Sequence, residues 1–275
     1  MNHTKKKTVF SLLIIGVVFL YLLPYMWFGL ASFKSQRTLT AIPPVIFPDQ
    51  LTLYSYHVAF QQKDLLLYLK NSAIVAILAT LGSIALGVLA AYPLARLKIR
   101  GKNLFLLLFL TVSMFPQMAL VGPIWRIMRT LGWLNTYQGL IFPYITLTLP
   151  LAVWILVRFF EQLPQEIEEA ALVDGCTPLK ALWKVILPLA APGVFTAAIL
   201  IFIYAWNEFF FALLIMTYPA RHTLPVGIAL FPGEYTMPWG EIAAASVVAT
   251  IPLICLVLFC ERYIISGLTA GAVKG

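Results

Sequence analysis

Apolar stretches separated by short polar ones run the whole length of this chain. Six are each near the roughly 20 residues an α-helix needs to cross about 30 Å of hydrocarbon: Val9–Ala31, Ala73–Ala95, Leu104–Pro123, Gly139–Phe160, Val194–Leu214 and Ile242–Phe259. The pattern predicts an all-α, polytopic membrane protein with six transmembrane helices in a single domain over residues 1–275. The first run follows Lys5-Lys6-Lys7, as in a signal peptide. It outlasts the roughly 7–15 apolar residues of one and ends only in Ala31-Ser32, so it is read as a retained helix. Two polar intervals stand out. The stretch between Ser32 and Asn71 has room for a short helix or two, with Leu65-Leu66-Leu67 as one possible start, and residues 164–188 are far too polar to cross a membrane.

Composition supports the bilayer as solvent. Hydrophobic residues make up 61% of the 275 and charged residues 11%, against roughly 45–50% and about 25% in ordinary globular domains. The net charge of +8 would suggest nucleic acid in a soluble protein, but here the basic residues flank apolar segments and act as topology signals. With a cytoplasmic N-terminus, 12 of the 19 Lys and Arg fall in inside segments and 7 in outside ones. The Arg96-Lys98-Arg100-Lys102 cluster beside a short loop is the strongest single signal. Both termini are therefore expected in the cytoplasm. Cys176, Cys255 and Cys260 have no ligand spacing and His3, His57 and His222 are scattered, so neither a metal site nor a His-based catalytic group is expected.

The interval at 164–188 is the most informative. Pro164 suits the first turn of a helix, Glu166, Glu168 and Glu169 sit where the helix dipole favours carboxylates, and Gly175 can supply a left-handed stop. A helix over about Pro164–Asp174 follows. Thr177 then caps a second one with Pro178 at its first position, and Leu179, Leu182, Trp183, Ile186 and Leu187 recur at helical spacing until Pro188 ends or bends it. Ala170 and Ala171 keep one face low enough for another protein to approach closely. A helix resting on the lipid surface would account for Trp183 and the lysines but not for the acidic first arm.

Glu169-Ala170-Ala171, then Gly175, then Val185-Ile186-Leu187-Pro188 resemble the EAA loop of importer-type ATP-binding-cassette permeases, with Val185 where the family usually has Ile. Pro24-Tyr25-Met26-Trp27, Ala31-Ser32-Phe33-Lys34, Ala205-Trp206-Asn207-Glu208-Phe209 and the tail Gly267–Gly275 are similar to the carbohydrate-uptake, maltose-permease branch. The resemblance implies a binding-protein-dependent transport inner membrane component, multi-pass in the bacterial cytoplasmic (inner) membrane. It implies that Glu169, Ala170, Ala171, Gly175, Leu187 and Pro188 couple to a cytoplasmic ATPase. The implied partners are a second homologous permease subunit, an ATPase dimer that uses ATP and Mg, and an extracytoplasmic solute-binding protein. The tail, by the same resemblance, reaches toward the ATPase dimer.

This chain has no G-x-x-x-x-G-K-[ST] phosphate cradle, so the energy must come from a partner and the chain is not expected to be an enzyme. Trp206, Asn207 and Glu208 are candidates for a solute path. Glu208 falls roughly 20 Å along the fifth run, where a carboxylate is costly unless it meets water or a partner. Asn207 and Glu208 could equally tie neighbouring helices together or mark the outer interface. An ion-gradient-driven secondary transporter is the competing function, but within the fifth run Glu208 is the only acid. A membrane enzyme would need clustered catalytic groups at membrane depth, which the sequence lacks.

Overall fold

In a computed structural model, the structure describes residues 3–48, 50–233 and 237–270, with side chains from 10 to 261 within those ranges. The regular structure among these residues is all helical, with no strand. The chain forms two compact units, Met1–Leu66 with Gly227–Pro252 and Leu67–Val226 with Leu253–Gly275.

In the first unit, α1 (His3–Ser32) is a single long helix. Its Phe10–Ser32 stretch is apolar enough to span a bilayer and is almost entirely exposed, the surface expected of a helix solvated by lipid. Two short helices follow, α2 (Gln36–Leu39) and α3 (Tyr54–Gln61), as the interval after Ser32 allowed. Helix α3 and the chain leading to it are pinned back on the end of α1. The Ser32 and Tyr56 hydroxyls share a hydrogen bond of 2.9 Å. The buried Lys34 ammonium donates to the Val45 carbonyl at 2.9 Å and lies 4.3 Å from the centre of the Trp27 ring. Burial lowers the pKa of that amine from its ordinary value.

The second unit starts in α4 (Leu65–Arg96), so Leu65-Leu66-Leu67 open the long second helix and not a short separate one. The third apolar run is not one helix. It divides into α5 (Lys102–Ser113) and α6 (Gln117–Thr130), bent by 86°. Residues 114–116 and the N-cap Pro116 interrupt the ladder there. At 1.5 Å per residue α5 is about 18 Å long, short of the hydrocarbon core. Helix α7 (Tyr137–Gln162) is continuous despite Pro143 and Pro150, and Thr136 caps it by accepting from Gly139 N at 3.3 Å.

Helices α8 (Gln165–Val173) and α9 (Pro178–Ala181) come next, followed by a π-turn at Leu182–Ile186 and α10 (Leu187–Leu189). The Leu187 N–H reaches back five residues to the Leu182 carbonyl. The chain turns by 80° into α11 (Ala191–Asn207). Pro188 thus lies inside α10 and the bend falls at Ala190, one turn-forming residue before the next helix start. The fifth run also ends early, at Asn207. Glu208 and Phe209 interrupt it before α12 (Phe210–Ile215). Helices α13 (Leu224–Ala229) and α14 (Trp239–Ala270) complete the chain. Among the described residues four helices meet the length and apolarity needed to span, and the total is six if each bent pair is counted as one span.

Small residues set the packing. A side chain on Gly87 would meet the Ala152 Cβ at 3.0 Å, so α4 and α7 touch there nearly backbone to backbone. The buried Ser83 and Thr148 hydroxyls share a 2.7 Å hydrogen bond between the same helices. Gly193 faces the Phe159 ring, and Gly139 lies against the Trp133 carbonyl, with no room for a Cβ at either.

Replacing Gly139 with Ala would place a Cβ 2.1 Å from the Trp133 carbonyl oxygen, while Gly16 has nothing within 4 Å. Gly139→Ala is expected to destabilise the detergent-solubilised protein by about 2–3 kcal/mol. Gly16→Ala should leave its thermal unfolding midpoint in place.

Candidate functional site

Residues 164–189 build a handle out of local rules. Pro164 precedes α8, whose first turn carries Glu166 and Glu168 at the positive end of the dipole. The helix ends in a Schellman arrangement: Cys176 N donates to the Ala171 carbonyl and Gly175 N to Leu172, both at 3.0 Å, with Gly175 at φ +82°. Thr177 Oγ1 then accepts from Lys180 N at 3.3 Å and starts α9, with Pro178 at its first turn.

Burial sorts the apolar residues of this segment onto two sides. Leu182 and Ile186 enter a core with Val88 and Ala91 of α4, Leu106 of α5 and Val153, Leu156 and Phe160 of α7. Leu179 and Trp183 stay about half exposed, and Val173 is 88% exposed. The helical stripe read in the sequence is therefore split between the bundle and the surface. Of the predicted coupling residues, Glu169, Ala170, Gly175 and Pro188 are exposed, Leu187 is partly buried and Ala171 is buried. Only Ala170, not both alanines, offers the low-profile outer face.

An ion pair that sequence reasoning did not single out fixes the handle. Arg96, at the end of α4, points its guanidinium inward with Nε 2.8 Å from Glu168 Oε2, and its Nη1 donates to the Leu163 carbonyl at 2.9 Å. The Tyr92 hydroxyl donates to the other oxygen of Glu168. In the sequence Arg96 stands out only as a topology signal, and Glu168 only as one of three dipole-stabilising acids. Their separation of 72 positions hides the pairing, which depends on how α4 and α8 meet. A second pair, Lys102 with Glu161, joins the start of α5 to the end of α7.

The second predicted site is also rearranged by the fold. Glu208 is buried at the break after α11, and its carboxylate caps the next helix. Oε1 accepts from Phe211 N at 2.8 Å, Oε2 from Ala212 N at 3.2 Å, and the Tyr144 hydroxyl donates to Oε2. Trp206 is 4% exposed and stacks on Phe202, with ring centres 5.6 Å apart. Asn207 remains exposed and donates to the Ile203 carbonyl at 2.8 Å. Among the described residues no group of three His, Cys, Asp or Glu could hold a metal. The tail Gly267–Gly275 lies outside the described side chains, and its last five residues outside the described residues altogether.

Comparison with known proteins decides the family. Residues 83–268 match the family of binding-protein-dependent transport system inner membrane components. The chain belongs to this family. Across 96% of both chains it is 45% identical to the trehalose/maltose transport system permease protein of Thermococcus litoralis. It is 47% identical to the sulfoquinovosyl glycerol transport system permease protein of Agrobacterium fabrum, over 92% of this chain and 89% of that one. With the trehalose transport system permease protein of Mycobacterium tuberculosis it shares 42%, over 98% and 99%. A solved bacterial ATP-binding-cassette transporter that imports the acidic polysaccharide alginate has the same fold: TM-score 0.80, 23% identity, 96% and 98% coverage. As a permease component of such an importer, this inner-membrane subunit is not an enzyme, and ATP is hydrolysed by a separate subunit.

The side chains of Arg96 and Glu168 are 6% and 14% exposed, so removing one strands the other. Glu168→Ala is expected to cost about 3 kcal/mol. It should open residues 164–189 to limited proteolysis, whereas Ala at the exposed Glu166 leaves the digestion pattern unchanged.

Proposed function

We propose that this permease forms half of the translocation path of an ATP-driven importer for a sugar or similar small solute, and that the handle at residues 164–188 couples it to the motor. In this reading the chain is one transmembrane domain with six spans, each bent helix pair counting as one, and both termini lie in the cytoplasm. A second homologous permease subunit supplies the other half of the path. A dimer of ATPase subunits, using ATP and Mg, grips the handle of each permease, and an extracytoplasmic binding protein delivers the solute.

The observation that carries the coupling role is the contrast between the two sides of the handle. One side is locked to the bundle by Arg96, Tyr92, Leu182 and Ile186. The other exposes Glu169, Ala170, Leu172, Val173, Leu179 and Trp183, an apolar patch with a carboxylate beside it. Large exposed apolar groups on a polar segment mark a surface that a partner covers. A rigid attachment behind such a surface lets a force applied to the handle reach α4 and α7. The sugar reading rests on the relatives of 42–47% identity whose names specify trehalose, maltose and sulfoquinovosyl glycerol.

Two substitutions test the coupling. Glu169→Trp puts a bulky ring on the exposed face of α8. Gly175→Val forces a branched residue to φ +82°, at a cost of about 1–2 kcal/mol. Both variants are expected to insert in normal amounts, to lose co-purifying ATPase by about tenfold or more, a loss equivalent to ~1.4 kcal/mol, and to abolish uptake. Normal ATPase binding and uptake in both would refute the docking role.

A further inference from the structure

The groove beside the elbow at residues 114–116 holds polar groups that nothing above has used. It has a volume of about 430 Å³ and is lined by Leu110, Ser113, Phe115, Gln117, Leu147 and Tyr204 among others. Gln117 Nε2 donates to the Tyr204 hydroxyl at 2.9 Å. The Tyr204 ring stands edge-on to Tyr144, 6.4 Å between centres, and Tyr144 is itself held by Glu208. Asn207 lies one turn beyond Tyr204 on the same face of α11 and is exposed. Trp206, two positions from Tyr204, is about 200° around the helix and faces the other way, against Phe202.

We propose that Gln117, Tyr204 and Asn207 form a carbohydrate-contacting subsite of the passage, in place of Trp206 and Glu208. The inference rests on the sugar-importer reading and assigns residues to it. After their internal hydrogen bonds, the Gln117 carbonyl, the Tyr204 O–H and the Asn207 carbonyl still have capacity to bond. Tyr204 lies about 20 Å along α11 from its first residue, at a depth where lipid offers no partner. The occupant must therefore bring its own hydroxyls or water. A partner helix is a poorer fit, because helix contacts in membranes favour small residues, and this rim carries Met114 and Phe115, 84% and 54% exposed. An aromatic face with neighbouring amide and phenol groups, in a groove of ordinary ligand size, suits the mixed C–H and O–H surface of a pyranose.

The test uses the complete importer in proteoliposomes, with Cys176, Cys255 and Cys260 replaced by Ser. Single cysteines at Gln117 and Asn207, with Leu108→Cys as the control on α5, are treated with a charged, membrane-impermeant methanethiosulfonate. Gln117→Cys and Asn207→Cys are expected to react far faster than Leu108→Cys, and to be slowed by whichever of trehalose or maltose the complex carries. Labelling as slow as the control, or labelling of the isolated chain that vanishes in the complete complex, would overturn the subsite in favour of lipid or a partner helix. Tyr204→Phe is expected to raise the KM of uptake at least about fivefold with kcat retained, the loss of one hydrogen bond to the solute. An unchanged KM with a reduced yield of complex would instead make Tyr204 a packing residue and sink the proposal. Failure of the wild-type complex to take up trehalose, maltose or sulfoquinovosyl glycerol with ATP would count against the sugar reading, and the thiol reactions would still report whether Gln117 and Asn207 face water.

Discussion

Inside a bilayer a backbone amide that loses its helical partner has no water to turn to, and the structure is shaped by how this chain meets that constraint. The break after α11 shows the solution most clearly. Ending the helix at Asn207 frees amides at the start of α12, and Glu208 supplies both carboxylate oxygens to them. The charge is buried because it is bonded, with Tyr144 of α7 as a further donor. A residue that reads as costly in the apolar run is what allows the run to be interrupted. The interruption in turn leaves Asn207 exposed and Tyr204 braced against Tyr144.

At the other end of the bundle a different pair serves a similar purpose. Arg96 and Glu168 join the foot of α4 to α8, while Leu182 and Ile186 extend the hydrophobic core of α4, α5 and α7 beneath the handle. Polar and apolar contacts thus hold the same short segment from two directions. A surface segment tied by one of them alone could pivot. Tied by both, it moves with the bundle, as a lever arm must if work done on it is to reach the spans.

Local features were legible in the sequence wherever one residue sufficed to set them. Gly175 occupies the left-handed stop, Thr177 caps, and the bounds of α8 fall within a residue of the expected Pro164–Asp174. The breaks in the third and fifth runs were not legible. Apolar residues run up to Pro116 in the third run and resume directly after Glu208 in the fifth, and apolar composition reports burial in lipid without reporting helix direction. The ion pair of Arg96 with Glu168 and the meeting of Gln117 with Tyr204 were hidden for another reason. Each joins residues at least 72 positions apart, and only the way the helices pack brings them together.

The π-turn at Leu182–Ile186 has a consequence for how such subunits can diversify. Its extra residue sets the rotational phase between the part of the handle that faces outward and the part rooted in the core. Inserting or losing a single residue there would change the phase of Leu182 relative to Ile186 by about 100°, so that the two could no longer enter the same core while Glu168 stays paired with Arg96. A subunit with this geometry is therefore expected to adapt its gripping surface to a differently shaped motor by replacing outward side chains at constant segment length.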